Sequence, residues 1–264
     1  LTAMQNWTGL RAPHGKQLFF LLTIWVASRA LVLWGAAFPL WLVAFIDILF
    51  LPSAAVLLAI PILAAKQWRN LFFIPVLLLL TVCNAISWLG LYLHDYTLQQ
   101  HGLYNAVLLI TLLMSILGGR VLPMFTANGT QTKKVEPIVW LDRLALGSLW
   151  LIFIQQFLKL ENYVPHQLIG LLYGVAAALL AIRCARWKLW ITFKVPLLWS
   201  LHLAYWFIPF GLAFFAMHYS GVGLNGTLIL KSTAMHTLTA GAMGSMILAM
   251  MARVSLGHTG RPLQ

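Results

Sequence analysis

Long apolar runs separated by short polar stretches extend along the whole chain. A membrane helix needs about 20 mostly apolar residues to cross a hydrocarbon core about 30 Å thick. Backbone groups in lipid must be satisfied internally, and the runs lack barrel-type alternation, so each run is predicted to be a helix. Eight runs qualify: Leu18–Phe38, Leu40–Ala65, Leu71–Leu93, Leu103–Leu117, Ile138–Leu160, His166–Arg183, Pro196–Met217 and Thr227–Val254. The pattern predicts an all-α, polytopic transmembrane helix bundle forming a single domain over residues 1–264.

The fourth run is the shortest, and local signals predict that its helix ends at Leu117. Gly118 and Gly119 follow directly, and Pro123 lies shortly beyond, which together are typical of a helix C-terminus. Residues 118–126 are therefore expected to form a compact loop at the membrane edge. Arg120 in this loop is either a charge that sets topology or a residue that binds an anion such as a haem propionate.

Composition supports the membrane interpretation. The 264 residues are 61% hydrophobic and only 8% charged, whereas soluble domains carry roughly a quarter charged residues. The net charge of +12 raises the possibility of nucleic acid as a partner. The cations lie between apolar runs and not on a soluble domain, so lipid is the expected partner and nucleic acid is not.

The distribution of Lys and Arg predicts the orientation of the chain. Cytoplasmic loops of membrane proteins are enriched in Lys and Arg. With eight helices, one side holds only Lys159 and Lys231, and Arg29 lies inside a helix. The other side holds 14 cations: Arg11, Lys16, Lys66, Arg69, Arg120, Lys133, Lys134, Arg143, Arg183, Arg186, Lys188, Lys194, Arg253 and Arg261. Both ends of this chain are therefore predicted to be cytoplasmic.

Two ionisable residues lie near the predicted membrane midplane. Arg29 is about eleven residues into the first helix, and Asp47 is at a similar depth in the second. Because an isolated charge in hydrocarbon is costly, they are expected to form a structural ion pair. A role in proton or anion handling is the alternative.

His202 and His236 lie within the last two predicted helices, which are consecutive and antiparallel. Neutral imidazole is a common ligand of haem and transition metals, and helix bundles build cofactor sites from facing helices. The pair is therefore a candidate cofactor site, while hydrogen bonding to a neighbouring helix is the alternative. Several histidines lie at the non-cytoplasmic edge of the predicted membrane region. Among them, His94 lies closest to the bilayer and is a further candidate metal ligand.

Several segments resemble motifs of the NnrS family in the same order along the chain. They are residues 5–9 (QNWTG), the Ser28–Arg29 region, and residues 118–126 (GGRVLPMFT), 201–206 (LHLAYW), 236–244 (HTLTAGAMG) and 253–261 (RVSLGHTGR). The resemblance implies a bacterial inner-membrane protein of about twelve helices that contains haem, of b type, and copper, and that takes part in nitric oxide metabolism and resistance to nitrosative stress.

The resemblance also extends the list of candidate residues. It favours His202 and His236 as cofactor residues and adds His258 and Arg120. A His-rich segment and further helices of the family are absent here, and the chain starts at Leu1 in a polar stretch. We therefore expect an internal portion of a longer protein.

Three functions remain open at this point. The first is a haem- and copper-binding protein that binds or detoxifies nitric oxide, in contact with other membrane respiratory or denitrification proteins. The second is a transporter or channel, with Arg29 and Asp47 lining a path. The third is a structural subunit of a respiratory complex. No nucleophile–base set, phosphate-binding loop or carboxylate pair indicates hydrolase or kinase chemistry, and the sequence does not decide whether the protein is an enzyme.

Overall fold

The computed structural model describes residues 9–11, 13–224 and 227–258, except for the side chains of residues 36, 224, 254 and 256–258. The motif residues 5–8 and 259–261 and the side chain of His258 lie outside the described part. Eight helices confirm the all-α, polytopic architecture. The chain divides into two compact units, with the boundary between Leu109 and Ile110.

The first unit is built from apolar helices; single 3₁₀ turns, Gly35–Ala37 and Trp68–Asn70, join the first three, and a short turn joins the third to the fourth. Gly102 lies directly against the backbone of Cys83 and Ser87, so the helix that carries Gly102 and the helix before it approach closely. Leu58 and Ile62 form a small buried cluster with Leu71, Phe73 and Leu77. The helices are α1 (Lys16–Leu33), α2 (Leu40–Ala64), α3 (Phe73–Tyr92) and the first part of α4 (Tyr96–Thr130).

The second unit contains the rest of α4 and four more helices. They are α5 (Val139–Phe157), α6 (His166–Ala185), α7 (Pro196–Ser220) and α8 (residues 231–258), which consists of Lys231–His236, a π-helical segment Thr237–Gly244 and Ser245–His258. A short hairpin of Gly223–Leu224 and Thr227–Leu228 precedes α8. Helix α7 packs against both α6 and α8, and α6 also packs against α5.

The predicted end of the fourth helix at Leu117 is wrong. Helix α4 continues without a break through Gly118, Gly119 and Pro123 to Thr130. A glycine inside a helix costs about 1 kcal/mol relative to alanine, and here both glycines make close tertiary contacts that an alanine could not make. Tertiary packing therefore outweighs the local stop signal. Arg120 consequently lies within a helix and not on a loop.

Seven of the described helices are long and apolar enough to cross a membrane. Helix α5 is not among them, because it carries charged residues at its start and two glutamines, Gln155 and Gln156, at its end. Large apolar side chains such as Phe19 and Leu248 are 69% and 71% exposed. Lipid is the solvent in which such surfaces are stable.

Candidate functional site

Arg183 is a polar side chain of the second unit that contacts several helices at once. It lies near the end of α6 and is only 5% exposed. Its Nε donates to Asp142 Oδ1 of α5 at 2.5 Å, and its Nη1 donates to the Ser115 carbonyl of α4 at 2.7 Å and to the Tyr205 hydroxyl of α7 at 3.1 Å. The guanidinium also lies 5.5 Å from the centre of the Trp187 ring. One arginine thus joins four helices.

Two motif segments meet at this arginine. Gly118 lies against the ring of Tyr205, and Gly119 lies against the guanidinium of Arg183, so that a Cβ at either position would overlap these groups. Two turns further along α4, Thr126 contacts His202, which belongs to the same motif as Tyr205. Residues that are far apart in sequence are therefore brought to one place by the continuous helix α4.

His202 is the buried imidazole of this site. The side chain is 1% exposed, and its Nε2 lies 2.7 Å from Thr126 Oγ1. The Nδ1 atom is buried and has no hydrogen-bond partner among the described residues. The Trp187 ring lies edge-on, with its centre 6.5 Å from that of His202. In the tautomer that donates from Nε2 to Thr126, Nδ1 keeps the free lone pair that a metal ion binds.

A third motif reaches α4 one residue before Thr126. Arg253 of α8 is 9% exposed, and its guanidinium carbon lies 3.9 Å from the centre of the Phe125 ring. Arginine over an aromatic face is a favourable cation–π arrangement. The segment 201–206 and the start of 253–261 thus both contact the part of α4 formed by residues 118–126.

His236 is not brought to the same place as His202. Gly211 of α7 lies against Leu238 of α8, and Gly241 of α8 lies against Phe207. In this antiparallel register, His202 of α7 lies at the level of about residue 246 of α8. That level is about ten residues, or roughly 15 Å at a rise of 1.5 Å per residue, from His236. His236 is exposed on the surface of α8. The two histidines therefore do not form one compact site.

Arg120 and His94 are the other candidate residues whose side chains the structure describes. Arg120 is half-buried within α4. His94 is exposed directly after α3, with φ of 54°, a left-handed conformation found at helix ends. Among the described residues, no group of three or more His, Cys, Asp or Glu side chains could hold a metal ion.

Arg29 and Asp47 form an ion pair in the first unit. The Asp47 carboxylate also accepts hydrogen bonds from Ser28 Oγ at 2.6 Å, and from Asn84 Nδ2 and Trp88 Nε1 at 2.9 Å each. Donors from two helices, α1 and α3, therefore surround one carboxylate of α2. This arrangement is typical of a structural connection between helices, and it gives no specific support to a transport path.

The roles of Arg183 and Asp142 are not predicted by the sequence pattern. In the sequence, Arg183 resembles the other cations that set topology. A cation near a helix end looks the same in the sequence whether water or a carboxylate neutralises it. One signal was available. The chain has only five acidic residues, so a carboxylate in the first turn of an apolar run, as at Asp142, is a candidate partner for a cation on the same predicted side.

The fold and this site define an all-α, multi-pass membrane protein with a buried histidine beside an arginine-centred hydrogen-bond network. The full length of the chain, residues 1–264, matches the model of the family described as NnrS protein. The chain therefore belongs to the NnrS family, and at the family level it is a membrane protein related to nitric oxide. No curated protein and no solved structure matches it in the corresponding comparisons.

Proposed function

We propose that this protein binds a haem, of b type, within the membrane and acts in the response to nitric oxide, with His202 as a ligand of the haem iron. The observation that carries this proposal is the buried His202 Nδ1, which has no partner among the described residues, on a ring whose other nitrogen contacts Thr126 of a second family segment. Membership of the NnrS family supports the link with nitric oxide.

The residues present fit a single-histidine haem site better than a copper site. One imidazole suffices as the axial ligand of a five-coordinate haem, and His202 offers one in a buried setting. When bound, haem supplies an open iron position that takes a small uncharged gas. The predicted copper ligands His202, His236 and His94 do not form a metal-holding group among the described residues, so copper is proposed from the family resemblance alone, with no ligand set assigned.

The chain's own residues hold the imidazole in place and keep water away from it. Thr126 contacts one ring nitrogen of His202, and the Trp187 ring packs against both the His202 and the Tyr205 rings, whose centres lie 6.5 and 4.8 Å from its own. Arg183 ties Tyr205 to α4 and α5. Nitric oxide is uncharged and partitions into the apolar interior, so it needs no polar path to reach this site.

The other parts of the proposal rest on the family resemblance. Arg120, His236 and His258 are proposed to contact the cofactor. The location is proposed to be the bacterial cytoplasmic membrane. Association with other membrane respiratory or denitrification proteins is proposed as well.

The test is an optical spectrum and a pyridine haemochrome assay on the full-length protein in detergent, with copper analysis of the same sample. We expect stoichiometric haem in the wild type and a spectral shift when nitric oxide is added. The His202→Ala variant should lose the haem. His166→Ala is the matched control, because His166 is exposed at the start of α6, and it should keep the wild-type spectrum.

Size-exclusion profiles establish that each variant is folded. A folded wild type without haem would refute the proposal. A His202→Ala variant that keeps both its haem and the wild-type spectrum would show that His202 is not a ligand, and the same assay on His236→Ala would then test the second candidate.

A further inference from the structure

The acidic side chains of this chain are few, and four of the five already interact with neighbouring groups. Asp47 pairs with Arg29, Asp142 pairs with Arg183, and Glu161 accepts from Tyr219 and lies near Lys231. Asp95 accepts hydrogen bonds from the first backbone N–H groups of α4. The fifth, Glu136, is exposed in the segment between α4 and α5.

Arg253 is a buried cation with no carboxylate partner among the described residues. It is 9% exposed, and its Nη1 is buried with no hydrogen-bond partner in the part of the chain that the structure describes. Its guanidinium stacks over Phe125, which offers the face of a ring but no hydrogen-bond acceptor. A buried charge is stable only when it is paired and hydrogen-bonded. Since the acidic side chains of the chain do not supply the counter-charge, we infer that a bound anion does.

The position of Arg253 indicates which anion is in reach. Arg253 is the last residue of the membrane-spanning stretch Lys231–Arg253, so it lies at the depth where hydrocarbon gives way to lipid headgroups. Leu248 and Met251 on the same helix are 71% and 63% exposed. These two side chains therefore give α8 a surface for acyl chains at the same end of the helix, on a different face from the arginine.

We propose that Arg253 binds the phosphate of an anionic phospholipid whose acyl chains lie along α8. The planar guanidinium matches two phosphate oxygens at once. Basic pockets between membrane helices are a recognised form of lipid headgroup site. This end of α8 is predicted to lie on the side that carries 14 of the 17 Lys and Arg residues. The positive charge on that side favours a negatively charged headgroup. This site does not depend on the proposed haem.

The experiment measures the melting temperature of the full-length protein in a neutral detergent. Phosphatidylglycerol, phosphatidylcholine and inorganic phosphate are added separately to the wild type, Arg253→Gln and Arg143→Gln. Arg143 is an exposed arginine of α5 on the same predicted side, so Arg143→Gln removes one charge without touching the proposed site. We expect phosphatidylglycerol to raise the melting temperature of the wild type and Arg143→Gln by several degrees, and that of Arg253→Gln by less than half as much.

Each other result overturns a defined part of the proposal. An equal shift in Arg253→Gln excludes Arg253 as the binding residue. An equal shift with phosphatidylcholine excludes selection of an anionic lipid, and an equal shift with inorganic phosphate excludes a phospholipid as the source of the anion.

A second measurement avoids dependence on the folding of Arg253→Gln. Native mass spectrometry counts the phosphatidylglycerol molecules that the wild type, Arg143→Gln and the charge-retaining Arg253→Lys keep after delipidation. We expect at least one tightly held molecule in the wild type and Arg143→Gln, and reduced retention in Arg253→Lys, because lysine lacks the two-pronged guanidinium geometry. A wild type that retains no phosphatidylglycerol in preference to phosphatidylcholine refutes the proposal.

Discussion

The guanidinium of Arg183 shows how one side chain can organise several membrane helices. Its donors reach a carboxylate of α5, a backbone carbonyl of α4 and a hydroxyl of α7. A buried ion pair adds little stability compared with a well-packed apolar pair, but the loss of one partner leaves a buried charge uncompensated. The contribution of Arg183 therefore depends strongly on Asp142.

We expect Asp142→Asn to destabilise the second unit by about 2–4 kcal/mol, near the cost of breaking a buried pair and reduced because Asp142 is 29% exposed. Thermal unfolding in detergent measures the change. Glu136→Gln is the matched control, because Glu136 is exposed on the same predicted side, and it should leave the melting temperature unchanged.

The double variant Asp142→Leu/Arg183→Met separates charge from packing. Because it removes both charges together, it should be more stable than Asp142→Asn alone. A double variant that is less stable than the single one would show that the hydrogen bonds of Arg183 to Ser115 and Tyr205, and not its charge balance, dominate.

Two glycines give a second prediction at the scale of single residues. A Cβ at position 119 would overlap the Arg183 guanidinium, whereas a Cβ at Gly147 of α5 meets no atom within 4 Å. Gly119→Ala should therefore be destabilising, and Gly147→Ala should be stabilising by about 1 kcal/mol because alanine is the better helix former. Melting temperatures of the two variants check this, and a stable Gly119→Ala would mean that Arg183 does not occupy the described position.

At the scale of elements, helix α4 shows where local sequence signals stop being informative. Gly118, Gly119 and Pro123 together predicted a helix end, yet α4 has 35 residues and a length of about 52 Å at 1.5 Å per residue. The glycines serve close packing against Tyr205 and Arg183. A contact between residues 64 positions apart, such as Gly119 and Arg183, leaves no trace in local propensity.

The two ion pairs mark the limit of prediction from sequence at the site. Arg29 and Asp47 are predicted to lie near mid-membrane, where an unpaired charge is costly, so depth and the short connection between their helices predict their pairing. Arg183 and Asp142 stand near helix ends, where a solvated charge is equally acceptable. Only the packing of α5 against α6 distinguishes the two cases. The helices were predictable from hydropathy, and the network that links them was not.

Whether helix α5 crosses the membrane can be tested directly. Of the eight described helices, it is the one that is not apolar enough to count as a membrane span by composition. We expect it to cross the membrane, so that single cysteines replacing Lys133 and Asn162, both exposed on either side of α5, react with an impermeant maleimide from opposite sides. Cys83 and Cys184 are buried and are replaced by alanine beforehand. Labelling of both positions from one side would mean that α5 does not span.

At the scale of the whole molecule, the asymmetry of charge predicts an absolute orientation. Fourteen cations lie on one predicted side and two on the other, and the richer side is expected to be cytoplasmic. Alkaline phosphatase fused after Asn162 should be active in bacterial cells, because this enzyme matures only outside the cytoplasm, and a fusion after Lys133 should be inactive. The reverse pattern would show that the orientation is inverted.

The pairing of Asp142 with Arg183 also has a consequence for biosynthesis. Helices enter the bilayer in order as the ribosome produces them, and α5 emerges before α6. When α5 enters, its carboxylate has no partner, and its weakly apolar sequence gives it little hold on the lipid. The partner arrives only when the last turn of α6 has been translated, 41 residues later. We therefore expect helices α5 and α6 to integrate as a hairpin, because the weakly apolar α5 is held less firmly in the membrane before α6 is made.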